Sequence, residues 1–318
     1  MSRVRVCFLG TPEFAATALK TLLDDEHFEV VGVVTQPDRP SGRKLQLLPT
    51  PVKVLAESHG LSVLAPESLR KDPLMLTEIK KWRAEVAVVV AYGQILTTEF
   101  LDAFPFGCVN VHASLLPRWR GAAPIQRSIE AGDMETGVAL QKIVKKLDAG
   151  DVLGTRTMVI PPNMDSKELH DQLAILSSDL LSVELMDYVR GHLAGQPQDE
   201  SQVTYAKKIE KAEGLLDFAQ SAQTLHNRVR AFVWGPGTFF LRAGKSIKVH
   251  KTVLALASLP SSAKANPGEV LAISPQGIDV QTGAGVLTLL EVQPESRNRQ
   301  PAIDWSRAAG IQVGQPIG

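Results

Sequence analysis

Residues 84–93 read AEVAVVVAYG, and this stretch decides the class of fold. Its centre, Val86 to Ala91, is apolar at every position, so both faces of a strand here would be buried, as in the middle of a parallel sheet. Working outward, strand-like and helical stretches alternate through the first half of the chain. The strand-like stretches are VRVCFLG, FEVVGVVTQ, LSVLAP and GCVNVHASLLP, and the helical ones are TPEFAATALKTLL, TPVKVLAESHG, SLRKDPLMLTEIKKW (with Ser68 as its cap) and TTEFLDAF. This alternation predicts an α/β fold with a doubly wound parallel sheet.

The second half of the chain has a different pattern. A predicted hairpin over TGVALQKIVKKLDAGDVLGTRTMVI and a long amphipathic helix lead to the polar stretch QPQDESQVTYAKKIEKAEG, which lacks sustained periodicity. Beyond it, one helix precedes short segments separated by Gly and Pro, which favours a small β-barrel, with a five-stranded OB type as a candidate. We therefore predict an α/β domain over residues 1–195, a linker over 196–207 and a β-domain over 208–318.

Charge and cysteine content narrow the class of function. The chain of 318 residues has no net charge, but residues 207–318 carry 13 lysines and arginines against 8 aspartates and glutamates. This excess indicates either a polyanionic partner such as nucleic acid or a chance surplus. Cys7 and Cys108 lie in apolar stretches typical of buried reduced thiols. The N-terminus reads as a first strand, and no apolar run is long enough to span a bilayer, so we expect a cytoplasmic protein without a membrane partner.

The stretch NVHASLLPRWRGAAP, Asn110 to Pro124, places two polar residues on a strand that is otherwise apolar. Residues i and i+2 of a strand share a face, so Asn110 and His112 project together near the strand's carboxyl end, where open α/β sheets bind ligands. A lone buried histidine is more often a core residue, but two polar groups on a buried strand each need a partner. An amide can stabilise an oxyanion and an imidazole can move a proton near neutral pH, so the pair is our candidate for catalysis.

Two carboxylates in the stretch LDAGD are candidates to orient His112. Asp148 lies in a Gly-containing turn, where aspartate commonly has only a structural role, or it folds back and fixes the tautomer of the imidazole. Asp151 is the rival carboxylate. Ser114 is not part of a serine-nucleophile elbow, and the seven scattered histidines show no metal-ligand spacing, so we expect no metal.

Three further stretches are each either ordinary surface structure or ligand contacts. GTPEFA, Gly10 to Ala15, lacks the remaining glycines of a dinucleotide fingerprint and has no Walker lysine, so we expect no nicotinamide cofactor. The loop TQPDRPSGRK, residues 35–44, and the RWR stretch, Arg118 to Arg120, are cationic. They form either solvated turns or contacts to the phosphates and bases of a nucleic acid.

Taken together, these stretches resemble the folate-dependent formyltransferase family. The Asn-x-His pair with Ser-Leu-Leu-Pro and the downstream LDAGD carry the resemblance, which extends over nearly the whole chain through GTPEFA, PTPVKVLA, VVVAYGQIL and TYAKKI. TQPDRPSGR and RWRGAAPIQ resemble the branch of the family that acts on charged initiator tRNA. The resemblance implies a Rossmann-like catalytic domain and an OB-like, tRNA-binding C-terminal domain. We expect the chain to act as a monomer.

The resemblance also implies roles for individual residues. The catalytic residues would be Asn110, His112 and Asp148. The implied folate-binding residues are Ser114, Leu115, Leu116, Pro117, Tyr92, Gly93 and Ile95. The implied tRNA-binding residues are Arg39, Arg43, Lys44, Arg118, Arg120, Lys207, Lys208 and Lys211.

The activity that the resemblance implies moves the formyl group of 10-formyltetrahydrofolate, the co-substrate, to the α-amine of methionine esterified to initiator tRNA. Three other activities stay open. They are formylation of a small amine such as a nucleotide sugar or glycinamide ribotide, hydrolysis or dehydrogenation of formyl-folate, and RNA binding without catalysis. The basic C-terminal region and the 35–44 loop argue against a small amine, and the buried polar pair argues against a non-catalytic module.

Overall fold

The computed structural model describes residues 3–41, 46–255 and 265–318. By its contacts the chain divides into two compact units. The first unit comprises Met1–Gly121, Glu135–Met158 and His170–Ala206, and the second comprises Ala122–Met134, Val159–Leu169 and Lys207–Gly318. Our division into 1–195, 196–207 and 208–318 stays a prediction, and the structure assigns residues 196–206 to the first unit.

The helices and strands up to residue 206 follow the predicted alternation. In chain order they are β1 (Val4–Gly10), α1 (Glu13–Asp24), β2 (Phe28–Val34), β3 (Arg39–Ser41), β4 (Gln46–Leu48), α2 (Pro51–Ser58), β5 (Val63–Leu64), α3 (Pro73–Lys81), β6 (Val86–Val90), α4 (Thr98–Leu101), β7 (Cys108–His112), β8 (Arg120–Gly121), α5 (Pro124–Ala131), β9 (Glu135–Lys142), β10 (Val152–Val159), α6 (Ser166–Val189) and β11 (Tyr205–Ala206). A short 3₁₀ helix covers Glu200–Gln202.

A seven-stranded sheet forms the centre of the first unit, in the order β10-β9-β7-β6-β1-β2-β5. The strands β5, β2, β1, β6 and β7 are parallel, and β9 is antiparallel to β7. The strand order reverses between β1 and β6, which is the mark of a doubly wound sheet, and ligands of such sheets bind at the carboxyl ends of the strands. The fold class predicted for this half of the chain is confirmed, and all five residues of β6 are buried.

Two local features of the first unit bear on the sequence predictions. α3 begins at Pro73 rather than near Ser68, because the Asp72 side chain accepts from the N–H of Leu74 and a proline fits the first helical position. Cys7 and Cys108 are both free and buried, as predicted. Burial raises the pKa of the Cys108 thiol to about 12, so it stays protonated and unreactive at neutral pH.

The second unit contains an antiparallel sheet, which confirms the predicted β-domain. From residue 207 on, the elements are a 3₁₀ helix (Lys211–Gly214), α7 (Ala222–Phe232), β12 (Thr238–Arg242), β13 (Lys245–Leu254), β14 (Val270–Ser274), β15 (Gly277–Gln281), β16 (Val286–Pro294), β17 (Gln300–Pro301) and α8 (Ala302–Ala308). The strand order is β12-β13-β16-β15-β14, and β17 pairs with β16. The core includes Phe240, whose ring contacts Phe218 and Trp305 edge to face at 5.8 and 5.9 Å between centroids.

None of the helices within residues 3–41, 46–255 and 265–318 combines the length and the apolar character needed to cross a membrane.

Candidate active site

Asn110 and His112 lie two residues apart on β7, so their side chains share one face of the sheet. The register places Asn110 opposite Gln141 of β9 and His112 opposite Ala139. Asn110 is half-buried, and no atom in the described part of the chain forms a hydrogen bond with its side chain. An amide that is held on a strand but has no protein partner has its donors available for a ligand.

His112 is buried, with 6% of its surface exposed, and its two ring nitrogens have different surroundings. Nε2 lies 2.8 Å from the carbonyl oxygen of Trp119. A carbonyl only accepts, so Nε2 carries the ring proton and the Nδ1 of the neutral ring carries a lone pair. Nδ1 lies 3.8 Å from Oδ2 of Asp148, which is too long for a hydrogen bond. The structure therefore presents Nδ1 as the basic atom, beside a carboxylate.

The loop after β7 positions the carbonyl that orients His112. Trp119 has a φ of 63°, a left-handed conformation that residues with a side chain seldom adopt. Its N–H donates to Oγ1 of Thr204 at 2.9 Å, and the Ser114 hydroxyl donates to the carbonyl of Arg118 at 2.6 Å. The Arg118 guanidinium lies 4.4 Å from the centre of the Trp119 ring. These contacts hold the loop in the shape that aims the Trp119 carbonyl at the imidazole.

Asp148 is held by hydrogen bonds to both of its carboxylate oxygens. Oδ2 accepts from the N–H of Gly121 at 2.9 Å, and Oδ1 accepts from Nε2 of Gln141 at 3.1 Å. Gly121 has a φ of 117°, and a Cβ there would lie 2.8 Å from the carbonyl of Ala206, so the close approach requires glycine. Across the 3.8 Å between Oδ2 of Asp148 and Nδ1 of His112, a carboxylate attracts an imidazolium by about 4 kcal/mol at an effective dielectric constant of about 20. It exerts no such attraction on the neutral ring.

The structure decides between the two carboxylates of the LDAGD turn. Asp148 faces His112, and 15% of its side chain is exposed. Asp151 is 43% exposed at its side chain and lies 3.9 Å from Nζ of Lys142. The structure thus brings Asp148 to His112 and leaves Asp151 at a surface ion pair, which contributes little to stability.

The residues predicted to bind folate are not all placed as expected. The ring of Tyr92 is buried in the core of the first unit with only 2% exposed, and its part in folate binding stays a prediction. Burial also raises the pKa of Tyr92, and its carbonyl already accepts from Thr11 and Gln36. Ile95, by contrast, is 72% exposed. The others lie around β7 and β6: Ser114 and Leu116 are buried, Leu115 and Pro117 are half-buried, and Gly93 is exposed with a φ of 83°.

One of the residues predicted to contact tRNA requires correction. Arg120 is fully buried, and its guanidinium donates to Oε1 of Gln198 and Oε1 of Glu200 within the first unit. It is therefore a structural cation and not an exposed contact for RNA. The remaining predicted residues that the structure describes are exposed: Arg39, Arg118, Lys207, Lys208 and Lys211. Arg43 and Lys44 lie outside the described residues.

Two glutamines near Asp148 were missed by the sequence analysis. Gln141 is 1% exposed and bonds the Asp148 carboxylate, and Gln198 bonds the carbonyls of Asp148 and Gly150. Gln141 had a detectable signal, because a polar residue on a buried strand is the same anomaly that identified Asn110. Gln198 lies in a polar stretch where nothing distinguishes it from its neighbours.

Among the described residues, no group of three or more histidine, cysteine, aspartate or glutamate side chains is arranged to hold a metal ion.

Comparison with known proteins identifies the family to which this chain belongs. A family model described as formyl transferase matches residues 3–184, and one described as formyl transferase, C-terminal domain, matches residues 208–310. The chain belongs to the formyl transferase family. Asn110, His112 and Asp148 all lie within the first match.

Two methionyl-tRNA formyltransferases are similar to this chain over all or nearly all of its length. A methionyl-tRNA formyltransferase from Bdellovibrio bacteriovorus is 63% identical over 318 residues and covers 100% of both chains. One from Hydrogenovibrio crunogenus is 44% identical over 99% of both chains. Among solved structures, an N-formyltransferase from Helicobacter canadensis in complex with folinic acid and dTDP-3-aminofucose matches with a TM-score of 0.66. It covers 92% of this chain and 99% of its own at 16% identity, a likeness of fold alone.

Proposed function

We propose that this formyl transferase moves the formyl group of 10-formyltetrahydrofolate to the α-amine of methionine on charged initiator tRNA. The full-length similarity to methionyl-tRNA formyltransferases supports the acceptor. The observation that carries the chemistry is that Nδ1 of His112 and the amide of Asn110, neither hydrogen-bonded to another described residue, lie on the same strand face. Because initiator tRNA serves translation, we propose that the protein acts in the cytoplasm.

His112 acts as the base in this proposal. A free α-amine titrates at about pH 7.7–8.0, so much of it is protonated in the cell and only the neutral form attacks. As the amine attacks the formyl carbon, Nδ1 of His112 accepts a proton from the attacking nitrogen. The ring can then return a proton to the nitrogen of the folate that leaves. The Trp119 carbonyl keeps Nε2 protonated throughout, so the ring cannot present the wrong nitrogen.

Asn110 and Asp148 stabilise the charges that develop during transfer. The Asn110 amide donates to the oxygen of the formyl group as it becomes negative, a contact worth about 3 kcal/mol of the barrier in comparable enzymes. Asp148 attracts the imidazolium formed at His112, and its own hydrogen bonds fix it in place before the reaction. Both residues therefore act more strongly on the transition state than on the bound substrates.

Substrate binding is assigned to the surfaces around this strand face. We propose that Leu115, Leu116, Pro117 and the Gly93–Ile95 segment border the folate, with the Tyr92 side chain acting only as core support. The exposed cations, together with Arg43 and Lys44, are proposed to contact the phosphates of the tRNA. Arg120 is left out of that set because it is buried.

The test is incubation of the protein with 10-formyltetrahydrofolate and charged initiator tRNA, scored as formylmethionine after ester hydrolysis. The proposal expects formyl transfer that depends on both substrates and is abolished when the tRNA is uncharged. Transfer to glycinamide ribotide or to an amino sugar nucleotide, but not to tRNA, would contradict the assigned acceptor. Release of formate without any acceptor would identify a hydrolase instead.

A further inference from the structure

The side chain of Gln198 connects the loop that carries Asp148 to the buried guanidinium of Arg120. Its Nε2 donates to the carbonyls of Asp148 and Gly150 at 2.9 and 2.7 Å. Its Oε1 accepts from Nε and Nη2 of Arg120 at 3.0 and 2.8 Å. Carbonyls only accept and a guanidinium only donates, so the Gln198 amide has a single orientation that satisfies both sides.

The Asp148 backbone needs such a restraint. Asp148 has a φ of 46°, in the left-handed region that residues with a side chain rarely occupy. A residue in this region keeps its conformation only when surrounding contacts determine it. Gln198 bonds the carbonyl of Asp148 itself, and its Nε2 lies 3.3 Å from Oε1 of Gln141, whose own Nε2 bonds the Asp148 carboxylate. Gln198 therefore restrains both the backbone and the carboxylate of Asp148.

Arg120 in turn fixes Gln198. The guanidinium of Arg120 is fully buried, and within the described residues its Nη1 has no hydrogen-bond partner. Glu200 accepts from Nη2 at 3.0 Å and also pairs with Lys146, so the charge is compensated at one end only. A buried, partly unsatisfied cation is an expensive way to stabilise a fold, which makes a role in holding a polar group in place the better explanation.

We propose that Gln198 is a positioning residue for the reaction: it holds Asp148 in the geometry that faces Nδ1 of His112, and Arg120 locks Gln198 in the required orientation. The proposal rests on the proposed formyl transfer. Gln198 lies outside the reacting group and acts only through Asp148.

The test replaces Gln198 with glutamate, a residue of the same shape. Gln198→Glu keeps an acceptor for Arg120 but removes both donors to the loop carbonyls. We expect kcat to fall by about 10- to 100-fold, as a displacement of about 1 Å costs in other sites, while KM for both substrates changes by less than about twofold. Gln198→Met has a similar length but cannot form the hydrogen bonds. It provides a second variant in case Gln198→Glu does not fold, and we again expect a fall in kcat with KM nearly unchanged.

A double-mutant cycle separates positioning from general stabilisation. In the Asp148→Asn background, Gln198→Glu should lower kcat by less than about twofold, because residues that act as a unit are not additive. An equal loss in both backgrounds would overturn the proposal. Tyr188→Phe is the matched control, because it also removes one side-chain bond to a backbone carbonyl of the first unit, that of Phe106 at 2.8 Å. It should leave kcat unchanged.

A measurement independent of turnover keeps this proposal distinct from the proposed function. The N–H of Gly121 donates to Asp148, so its hydrogen exchange reports the position of that carboxylate. Exchange at Gly121 should be at least about tenfold faster in Gln198→Glu and unchanged in Tyr188→Phe, and equal rates would contradict the inference. If exchange at Gly121 is faster in Gln198→Glu but the wild-type protein transfers no formyl group, the positioning inference stands and the proposed function is wrong.

Discussion

His112 of the first unit and His226 of the second are both buried but differ in what surrounds their rings. His112 and His226 are exposed to nearly the same extent, 6% and 4%. His226 of α7 has a partner for each nitrogen, Oγ1 of Thr252 at 3.0 Å and the carbonyl of Pro162 at 3.3 Å. Among the described residues His112 has one such partner, the Trp119 carbonyl at Nε2, and its Nδ1 lies 3.8 Å from Oδ2 of Asp148. Burial is therefore common to both residues, and the open nitrogen is the feature that differs.

This difference supports His112, rather than His226, as the proposed base. The His226 ring is satisfied in its neutral form, and burial lowers its pKa, an effect that the Pro162 carbonyl partly opposes and the charge of Arg230 reinforces. Protonation there would place a second charge near Arg230 in a buried site and would require the Thr252 hydroxyl to turn from donor to acceptor. At His112 a proton transferred to Nδ1 would lie beside the Asp148 carboxylate, whose Oδ2 is 3.8 Å away. A catalytic base needs both states to be accessible.

Replacing His112 should give the largest effect on activity. His112→Ala removes the base, and general acid–base catalysis contributes about 10²- to 10⁴-fold, so we expect kcat to fall by about 1,000-fold in steady-state formylation assays. KM for the tRNA should change little. A variant that retains more than a tenth of the wild-type kcat would place the base elsewhere and end the contrast between the two histidines.

Removing the charge of Asp148 should have a smaller effect. Asp148→Asn keeps the shape of the side chain but cannot stabilise the imidazolium, so we expect kcat to fall by about 100-fold. Asp151→Asn is the matched control, since that carboxylate lies at a surface pair with Lys142. A larger loss of kcat in Asp151→Asn than in Asp148→Asn would reverse the assignment of the two carboxylates.

Replacing His226 should lower the stability of the protein and leave its activity intact, the opposite of the effect expected at His112. His226→Ala leaves Thr252 and the Pro162 carbonyl without their partner, which costs about 1–3 kcal/mol of unfolding free energy. Urea denaturation measures this loss, and kcat should stay within about twofold of the wild type. A fall in kcat comparable to that of His112→Ala would show that the two histidines do not differ in role as their surroundings indicate.

The smallest expected effect concerns acid stability. The folded-state pKa of His226 lies below the value of about 6.5 in the unfolded chain, so below that pH the unfolded state binds more protons. Stability is thus fully present above about pH 6.5 and is lost as the pH falls towards the folded-state pKa. Urea denaturation at pH 7.5 and 5.5 should show that the free energy of unfolding falls between the two pH values by less in His226→Ala than in the wild type. His250, whose pKa burial also lowers, contributes the same sign and remains in both proteins.

Some of these features could be predicted from the sequence because they depend on local patterns. The buried β6 follows from its unbroken apolar run, and the position of Asn110 and His112 on one strand face follows from their spacing. The local pattern did not decide between Asp148 and Asp151, because both lie in the same turn and only its folded course shows which one faces His112; the family resemblance alone favoured Asp148.

Other features depend on contacts between residues far apart in the chain. RWR read as an exposed cationic turn, yet Arg120 is buried because Gln198 and Glu200, about 80 residues later, provide its partners. The segment 196–207, predicted as a linker, contains Gln198, Thr204 and β11, which bond Arg120, Trp119 and β8 respectively. Tyr92 ends an apolar run, and the sequence could not show that its ring turns into the core.

The state of the His112 ring tests the account most directly. The structure requires the proton of the neutral ring to lie on Nε2, bonded to Trp119, with Nδ1 free to accept a proton. Long-range proton–nitrogen correlation spectra of protein labelled with ¹⁵N-histidine distinguish the two tautomers at a pH where the ring is neutral. We expect the protonated nitrogen to be Nε2. A proton on Nδ1, directed at Asp148, would contradict the assignment of Nδ1 as the base.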